Sequence, residues 1–367
     1  MVRVGSDEFV DPVLLQEFEI VQKRERLLPV LVPNSMKGLL AEEASVLGRG
    51  VGPLARSVLP TRERLEVRAP GEVSDFVEDR SNFVGTTDRI IRKYEDRVLV
   101  IATERCAGHC MYCFRQDLLF DSDPDKVIPD VARDLNDLLT ADPRVREVIF
   151  SGGDPMTLSV SRLQILLDAV AAAERSIDVR VHTKNFVFAP QTVSVEKLTA
   201  LNAVNARLVL HVTHPYEITP DFEQAVERAR ALGLRLYAQF PLLRGVNDHV
   251  DVLRALLERL DNLGVRPLTI FIADPISYSA AFRIPLRRVR EIASELHQSS
   301  PAWVNSVRFV LDTPEGKIRL ADIPDVGPES ETVEVERNGR AFTYTDFPDS
   351  LDIEGVRDVL LWREIRP

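Results

Sequence analysis

Cys106, Cys110 and Cys113 are the only cysteines in the chain, and all three fall in Thr103-Glu104-Arg105-Cys106-Ala107-Gly108-His109-Cys110-Met111-Tyr112-Cys113-Phe114-Arg115. Thiolates are soft ligands that prefer iron–sulfur clusters or zinc to hard cations. Gaps of three residues and then two suit a loop wrapped round a cubane cluster. A [4Fe–4S] cluster has one more iron than this loop has thiols, so one iron is left to bind something that is not protein. Structural zinc wants four ligands, usually in close pairs, and His109 is the only nearby fourth. Iron–sulfur is therefore the expected chemistry, with zinc or three unrelated core cysteines as the alternatives.

The elements that must position this loop begin just before it, with the apolar run Arg97-Val98-Leu99-Val100-Ile101-Ala102. From there, short β-branched runs alternate with amphipathic helical stretches. Strands are expected at Arg97–Thr103, Glu147–Ser151, Asp178–Thr183, Arg207–Thr213, Leu234–Phe240 and Pro267–Ala273. Helices are expected at Val127–Leu139, Ser161–Glu174, Val195–Leu201, Asp221–Leu232, Val250–Leu263 and Leu286–His297. Repeated βα units imply an α/β fold with a parallel sheet, and right-handed crossovers in one sense curl it into a partial (β/α)6 barrel. A doubly wound open sheet is the competing arrangement. Either way the cysteine loop lies at the C-terminal ends of the strands, where parallel α/β sites are built. The second strand ends in Phe150-Ser151-Gly152-Gly153-Asp154-Pro155. Its two glycines let backbone approach a ligand closely and expose amides.

Residues 1–90 read as a helical and irregular extension, 91–300 as the barrel, and 301–367 as a C-terminal region. Val13 to Leu27 suits an amphipathic helix, and Pro29, Pro33, Pro53, Pro60 and Pro70 forbid long helices after it. Thr332–Thr345 alternates around Asn338-Gly339 as a hairpin would, with a short helix near Glu354–Trp362. The pair is expected to cover the barrel mouth or contribute to a dimer. The net charge of −11 argues against a nucleic-acid surface. No apolar run reaches membrane-spanning length, and Met1 to Val10 is acidic without a signal-peptide core. A cytoplasmic setting, where thiols stay reduced, is expected.

The cysteine pattern, with Tyr112 before the third cysteine, resembles the signature of radical S-adenosylmethionine enzymes. The resemblance implies that the open iron is chelated by the methionyl end of S-adenosylmethionine, which an electron from the cluster cleaves to a 5′-deoxyadenosyl radical. It implies an outside electron donor of flavodoxin or ferredoxin type. The double glycine resembles the motif that contacts the cofactor's amino group. Ser151, Gly152, Gly153 and Asp154, with His211 and Gln239, are the residues expected at S-adenosylmethionine.

Within that superfamily, three segments resemble the lysine 2,3-aminomutase family in order along the chain: Lys93-Tyr94-Glu95-Asp96-Arg97-Val98-Leu99, His211-Val212-Thr213-His214-Pro215-Tyr216-Glu217-Ile218-Thr219-Pro220, and Gln239-Phe240-Pro241-Leu242-Leu243-Arg244-Gly245-Val246-Asn247-Asp248. These enzymes hold pyridoxal phosphate beside the cluster and move an amino group between the α and β carbons of an amino acid. The resemblance makes Lys317 the cofactor lysine, places Arg97, Lys93 and Tyr94 at the cofactor, and makes Arg115 the clamp for a substrate carboxylate. Asp274 and Asp312 match acids that hold the side-chain ammonium of lysine, so the expected substrate is L-lysine, with arginine and ornithine left open. The chain departs from the pattern in several places. Its lysine loop, Asp312-Thr313-Pro314-Glu315-Gly316-Lys317, is shortened and has Glu315 where glycines are usual. Lysine stands for arginine at positions 93 and 184, and Gln116-Asp117 replaces an arginine cluster. A radical enzyme without pyridoxal phosphate and a non-catalytic iron–sulfur redox sensor are the alternatives.

Overall fold

The structure is a computed structural model that describes residues 9–48, 52–119, 128–326, 331–337 and 339–365. Val127 and Asn338, which belong to an expected helix and turn, lie outside the described residues. Ten strands form one sheet in chain order: β1 (Phe83–Val84), β2 (Ile90–Ile91), β3 (Arg97–Thr103), β4 (Glu147–Gly152), β5 (Asp178–Thr183), β6 (Arg207–Leu210), β7 (Arg235–Leu242), β8 (Val265–Ile272), β9 (Arg308–Leu311) and β10 (Ile318–Arg319). Strands β3 to β9 run parallel. The short outer strands are antiparallel.

A doubly wound sheet reverses its strand order at a switch point. Here the order never reverses. Residues from β3 through β8, with Asp312 just past β9, line one cavity, so the sheet curls around it as an unclosed barrel. The parallel set has one strand more than expected, because β9 follows the last expected helix. The sheet also reaches back to Phe83 and on to Arg319, beyond both boundaries expected for the barrel region.

The covering helices form where apolar residues recur on one face. Ile128–Ala141 buries Ile128, Val131, Ala132, Leu135 and Leu139. Three others start at a hydroxyl that accepts from a first-turn amide: Ser159 from Arg162, Ser194 from Lys197 and Thr219 from Phe222. Strand β6 stops at Leu210 rather than Thr213, because the Thr213 amide donates to Glu217 Oε2 at 2.6 Å instead of a neighbouring strand.

The N-terminal extension consists of the helices Pro12–Glu25, Asn34–Leu47, Pro53–Val58 and Arg62–Glu66; the second, with 14 residues between Pro33 and Pro53, is as long as the first, so the prolines bound the helices there without keeping them all short. It clamps the cysteine loop: His109 N donates to Leu31 O and Met111 N to Ser57 O, both at 2.9 Å. Phe18 and Leu27 pack in one apolar cluster with Met111 and Tyr112. The C-terminal hairpin pairs β11 (Thr332–Arg337) with β12 (Arg340–Thr345), and Phe342 sets its ring edge-on to Phe76 at 5.7 Å. The last helix shrinks to Arg357–Leu360. Contacts on either side tie the chain down in non-helical form, with Gly355 N on Asp248 Oδ2 and Trp362 Nε1 on Glu43 Oε2.

Candidate active site

The cavity, of about 240 Å³, is lined by Cys106, Cys110 and Cys113 together with Arg115, Asp274, Asp312 and Lys317. The cysteines are free and partly buried. Burial pushes the Cys113 thiol up to about 12, with Cys110 adding to the effect, and raises Cys106 and Cys110 as well. Thiols held this way become thiolates when a cationic centre supplies the missing positive charge. Three thiols within electrostatic reach of one another fit a cluster. His109, the fourth ligand that zinc would need, lines the same cavity and has its Nδ1 2.7 Å from Pro29 O.

The glycine pair has a steric reason that the sequence does not reveal. Gly152 has φ +111°, and a Cβ there would lie 2.5 Å from Thr103 O. At Gly153 it would lie 2.3 Å from Arg105 O. The end of β4 thus lies directly against the start of the cysteine loop. The Gly153 amide, expected from the sequence to be exposed to a ligand, donates instead to Thr103 O, and the Asp154 amide to Arg105 O, both at 2.7 Å. An amino group needs acceptors, which backbone carbonyls and Ser151 can provide. Asp154 is buried and accepts from Thr183 Oγ1 at 2.8 Å and Lys184 N at 2.7 Å, so it joins the ends of β4 and β5. Burial pushes its carboxyl up to about 6 against those hydrogen bonds.

His211 also lines the cavity and lies 3.1 Å from Tyr112 Oη, the two rings stacked at 5.8 Å. Burial holds its imidazole well below the usual range, so it is neutral. Gln239 Nε2 is 3.2 Å from His182 Nδ1. His182 was not anticipated. It lines the cavity with Nε2 buried and unpartnered, and its only trace in the sequence is a polar residue alternating with Val181 and Thr183.

Lys317 Nζ lies 3.0 Å from Asp312 Oδ2 and 4.9 Å from the centre of the Phe271 ring. Its amide donates to Tyr94 Oη at 3.1 Å. Tyr94 carries the Arg97 guanidinium over its ring at 4.6 Å. Arg97 itself pairs with Asp96 at 2.9 Å, and neither Arg97, Tyr94 nor Lys93 lines the cavity. Lys93 is paired with Asp79 at 3.2 Å and bonded to Val77 O. Arg115 Nε also donates to Asp79, at 2.8 Å. Asp274 Oδ1 is shut off from solvent without a partner. Burial, then the Asp312 carboxylate, pushes the Asp274 carboxyl up to about 8.

The departures in sequence have local explanations. Gln116 accepts from Arg64 Nη2 at 3.1 Å and donates to Ser277 O at 2.8 Å. Lys184 forms a buried pair with Glu217 at 2.9 Å on the cavity wall.

Three thiols after the first parallel strand of a curled sheet, with a glycine pair closing the next strand against them, define a radical S-adenosylmethionine enzyme, and the Radical SAM superfamily profile matches residues 100–272. An L-lysine 2,3-aminomutase from Escherichia coli is 30% identical over 298 residues, covering 79% of this chain and 85% of that one. Another from Clostridium subterminale is 29% identical over 299 residues, covering 80% of this chain and 70% of that one. A solved radical SAM methyltransferase from Sphaerobacter thermophilus is 16% identical with a TM-score of 0.42, covering 81% of this chain and 92% of that one. The chain belongs to the lysine 2,3-aminomutase family of isomerases, whose cofactors are a [4Fe–4S] cluster, S-adenosylmethionine and pyridoxal phosphate.

Proposed function

We propose that the protein moves the α-amino group of L-lysine to the β carbon, giving L-β-lysine, with pyridoxal phosphate held by Lys317. The observation that carries this reading is the solvent-free, unpartnered Asp274 Oδ1 in the same cavity as Asp312, Arg115 and Lys317. Such a shut-off oxygen holds a proton below about pH 8 and gives it up when a cation arrives beside it. The ammonium of a lysine side chain is such a cation, and Arg115 suits the carboxylate at the other end of the same molecule.

When bound, the cluster and S-adenosylmethionine supply a carbon radical able to remove hydrogen, and pyridoxal phosphate supplies a π-system to carry the migrating nitrogen. The chain's residues bind, orient and exclude water. Arg115 fixes the α-carboxylate, and Asp274 with Asp312 fixes the side chain, so the carbon losing hydrogen is held in one place. Lys317 Nζ, beside the Phe271 ring, is the amine for the cofactor. For its phosphate, Arg97 over Tyr94 would have to leave Asp96 and Lys93 would have to leave Asp79, since each is paired outside the cavity wall. His211 and Tyr112 form an aromatic wall beside the cluster for S-adenosylmethionine. An electron donor of flavodoxin or ferredoxin type and a cytoplasmic setting complete the proposal.

Borohydride reduction of the loaded protein followed by peptide mapping is expected to label Lys317, and Lys317→Ala to lose the label while keeping the cluster spectrum. A label on another lysine contradicts the assignment. The charge reading also fixes a pH dependence. With its carboxyl at about 8, Asp274 holds a proton at lower pH that a cationic side chain must displace. Lysine binding is therefore expected to tighten as pH rises toward 8, by up to about tenfold per unit, and then level off. Asp274→Asn should flatten the profile, measured as the dissociation constant against pH. A profile unchanged in that variant assigns the titration elsewhere.

A further inference from the structure

We propose that Asp79 is a positioning residue that aims Arg115 at the substrate carboxylate, with Lys93 as the second cation that fixes Asp79. The inference rests on the reading of Arg115 given above. Asp79 was invisible as a site residue in the sequence, and it does not line the cavity. It is only 2% exposed, at the end of a turn in which Asp75 accepts from the Asp79 and Arg80 amides, both at 3.0 Å. Its two oxygens are divided between two cations. Oδ2 accepts from Arg115 Nε at 2.8 Å, and Oδ1 pairs with Lys93 Nζ at 3.2 Å. Lys93 is in turn bonded to Val77 O, so the ammonium is anchored to the same turn.

This division decides what Arg115 can do. Asp79 engages the inner nitrogen, Nε, and leaves the forked Nη end for another carboxylate. The guanidinium is also held over the Phe114 ring at 4.3 Å, which restricts its rotation. Arg80 ties the turn to the cysteine loop a second time, through Asp117 at 3.1 Å. Arg115 and Lys93 share the one Asp79 carboxylate, so Arg115 keeps donors free for an incoming carboxylate. Burial alone would raise the Asp79 carboxyl, but Arg115 and Lys93 hold it below its usual range, so it stays ionised.

A purely structural role for Asp79 would affect every ligand alike, whereas an aiming role acts only through the substrate carboxylate. The test compares L-lysine with L-lysinamide, in which that carboxylate is a neutral amide. Dissociation constants are measured calorimetrically on anaerobically loaded protein. Asp79→Asn is expected to weaken lysine binding by about tenfold to a hundredfold, the effect of losing a hydrogen bond to a charged group. Lysinamide binding should change by less than about threefold, and cluster and pyridoxal phosphate content should be unchanged. Equal losses on both ligands overturn the inference. Lys93→Met provides a second reading that does not depend on the first variant folding: it should weaken lysine selectively and retain pyridoxal phosphate. Loss of the cofactor in Lys93→Met assigns Lys93 to the phosphate and overturns the role given to it here. If wild-type protein binds lysine no better than lysinamide, the reading of Arg115 fails and this inference with it.

Discussion

Replacing Cys106, Cys110 or Cys113 with alanine, one at a time, is expected to abolish cluster assembly and S-adenosylmethionine cleavage together. The chain has no fourth cysteine to take over. A histidine nitrogen from the same cavity wall, His109, His182 or His211, would not reproduce a third thiolate, being neutral and harder. Nor can the loop slide to offer another donor, because Leu31 and Ser57 hold its amides on one side and the Gly152-Gly153 turn lies against it on the other. Those same contacts are independent of the thiols, so each variant should still fold. The measurements are iron and sulfide content, the spectrum of the reduced cluster, and 5′-deoxyadenosine formed under reducing, anaerobic conditions. Deoxyadenosine production retained in any one of the three variants would contradict the cluster assignment.

The second large effect is expected at the opposite end of the cavity. Asp274→Ala or Asp312→Ala removes one carboxylate from a site where a cation is to be desolvated. Breaking such a pair costs roughly 3–5 kcal/mol, which corresponds to a fall of about a hundredfold to several thousandfold in kcat/KM for lysine. The two variants are not equivalent. Asp312 already pairs with Lys317 at 3.0 Å, so its loss also frees the cofactor lysine. Asp274 Oδ1 has no partner among the described residues, so its loss should act on substrate alone. Asp274→Ala is therefore expected to leave the borohydride label on Lys317 at full yield, whereas Asp312→Ala, which removes the ion pair of Lys317 Nζ, is expected to change that yield. Lysine turnover within threefold of wild type in Asp274→Ala would contradict the charge argument.

The parts of this arrangement that depend on local pattern were legible in the sequence. Apolar runs such as Arg97–Thr103 announce strands, and the spacing of the cysteines announces a cluster, because each depends on neighbours along the chain. Strand β9 was not legible: four residues, Arg308–Leu311, are too few to distinguish from a buried loop by alternation. The glycine pair stands out in the sequence, but the steric reason for it does not. The carbonyls of Thr103 and Arg105, distant in sequence, are what forbid a side chain there. Asp79 shows the limit most clearly. A single acid in an irregular segment carries no periodic or motif signal, and its importance arises only when Lys93 and Arg115 fold against it. Lys93 illustrates the converse, since its place in a family-like segment suggested a phosphate contact, while packing turns its ammonium to Asp79.

The most direct test of the central claim is an anaerobic assay of wild-type protein loaded with iron, sulfide and pyridoxal phosphate. It receives reductant, S-adenosylmethionine and, separately, L-lysine, L-arginine, L-ornithine, L-glutamate or L-alanine, and the products are analysed for β-amino acids. The account predicts L-β-lysine from lysine as the fastest product, with glutamate and alanine unchanged. Turnover of glutamate or alanine in preference to lysine would contradict the substrate reading, and deoxyadenosine formed without any shifted amine would contradict the proposed reaction itself.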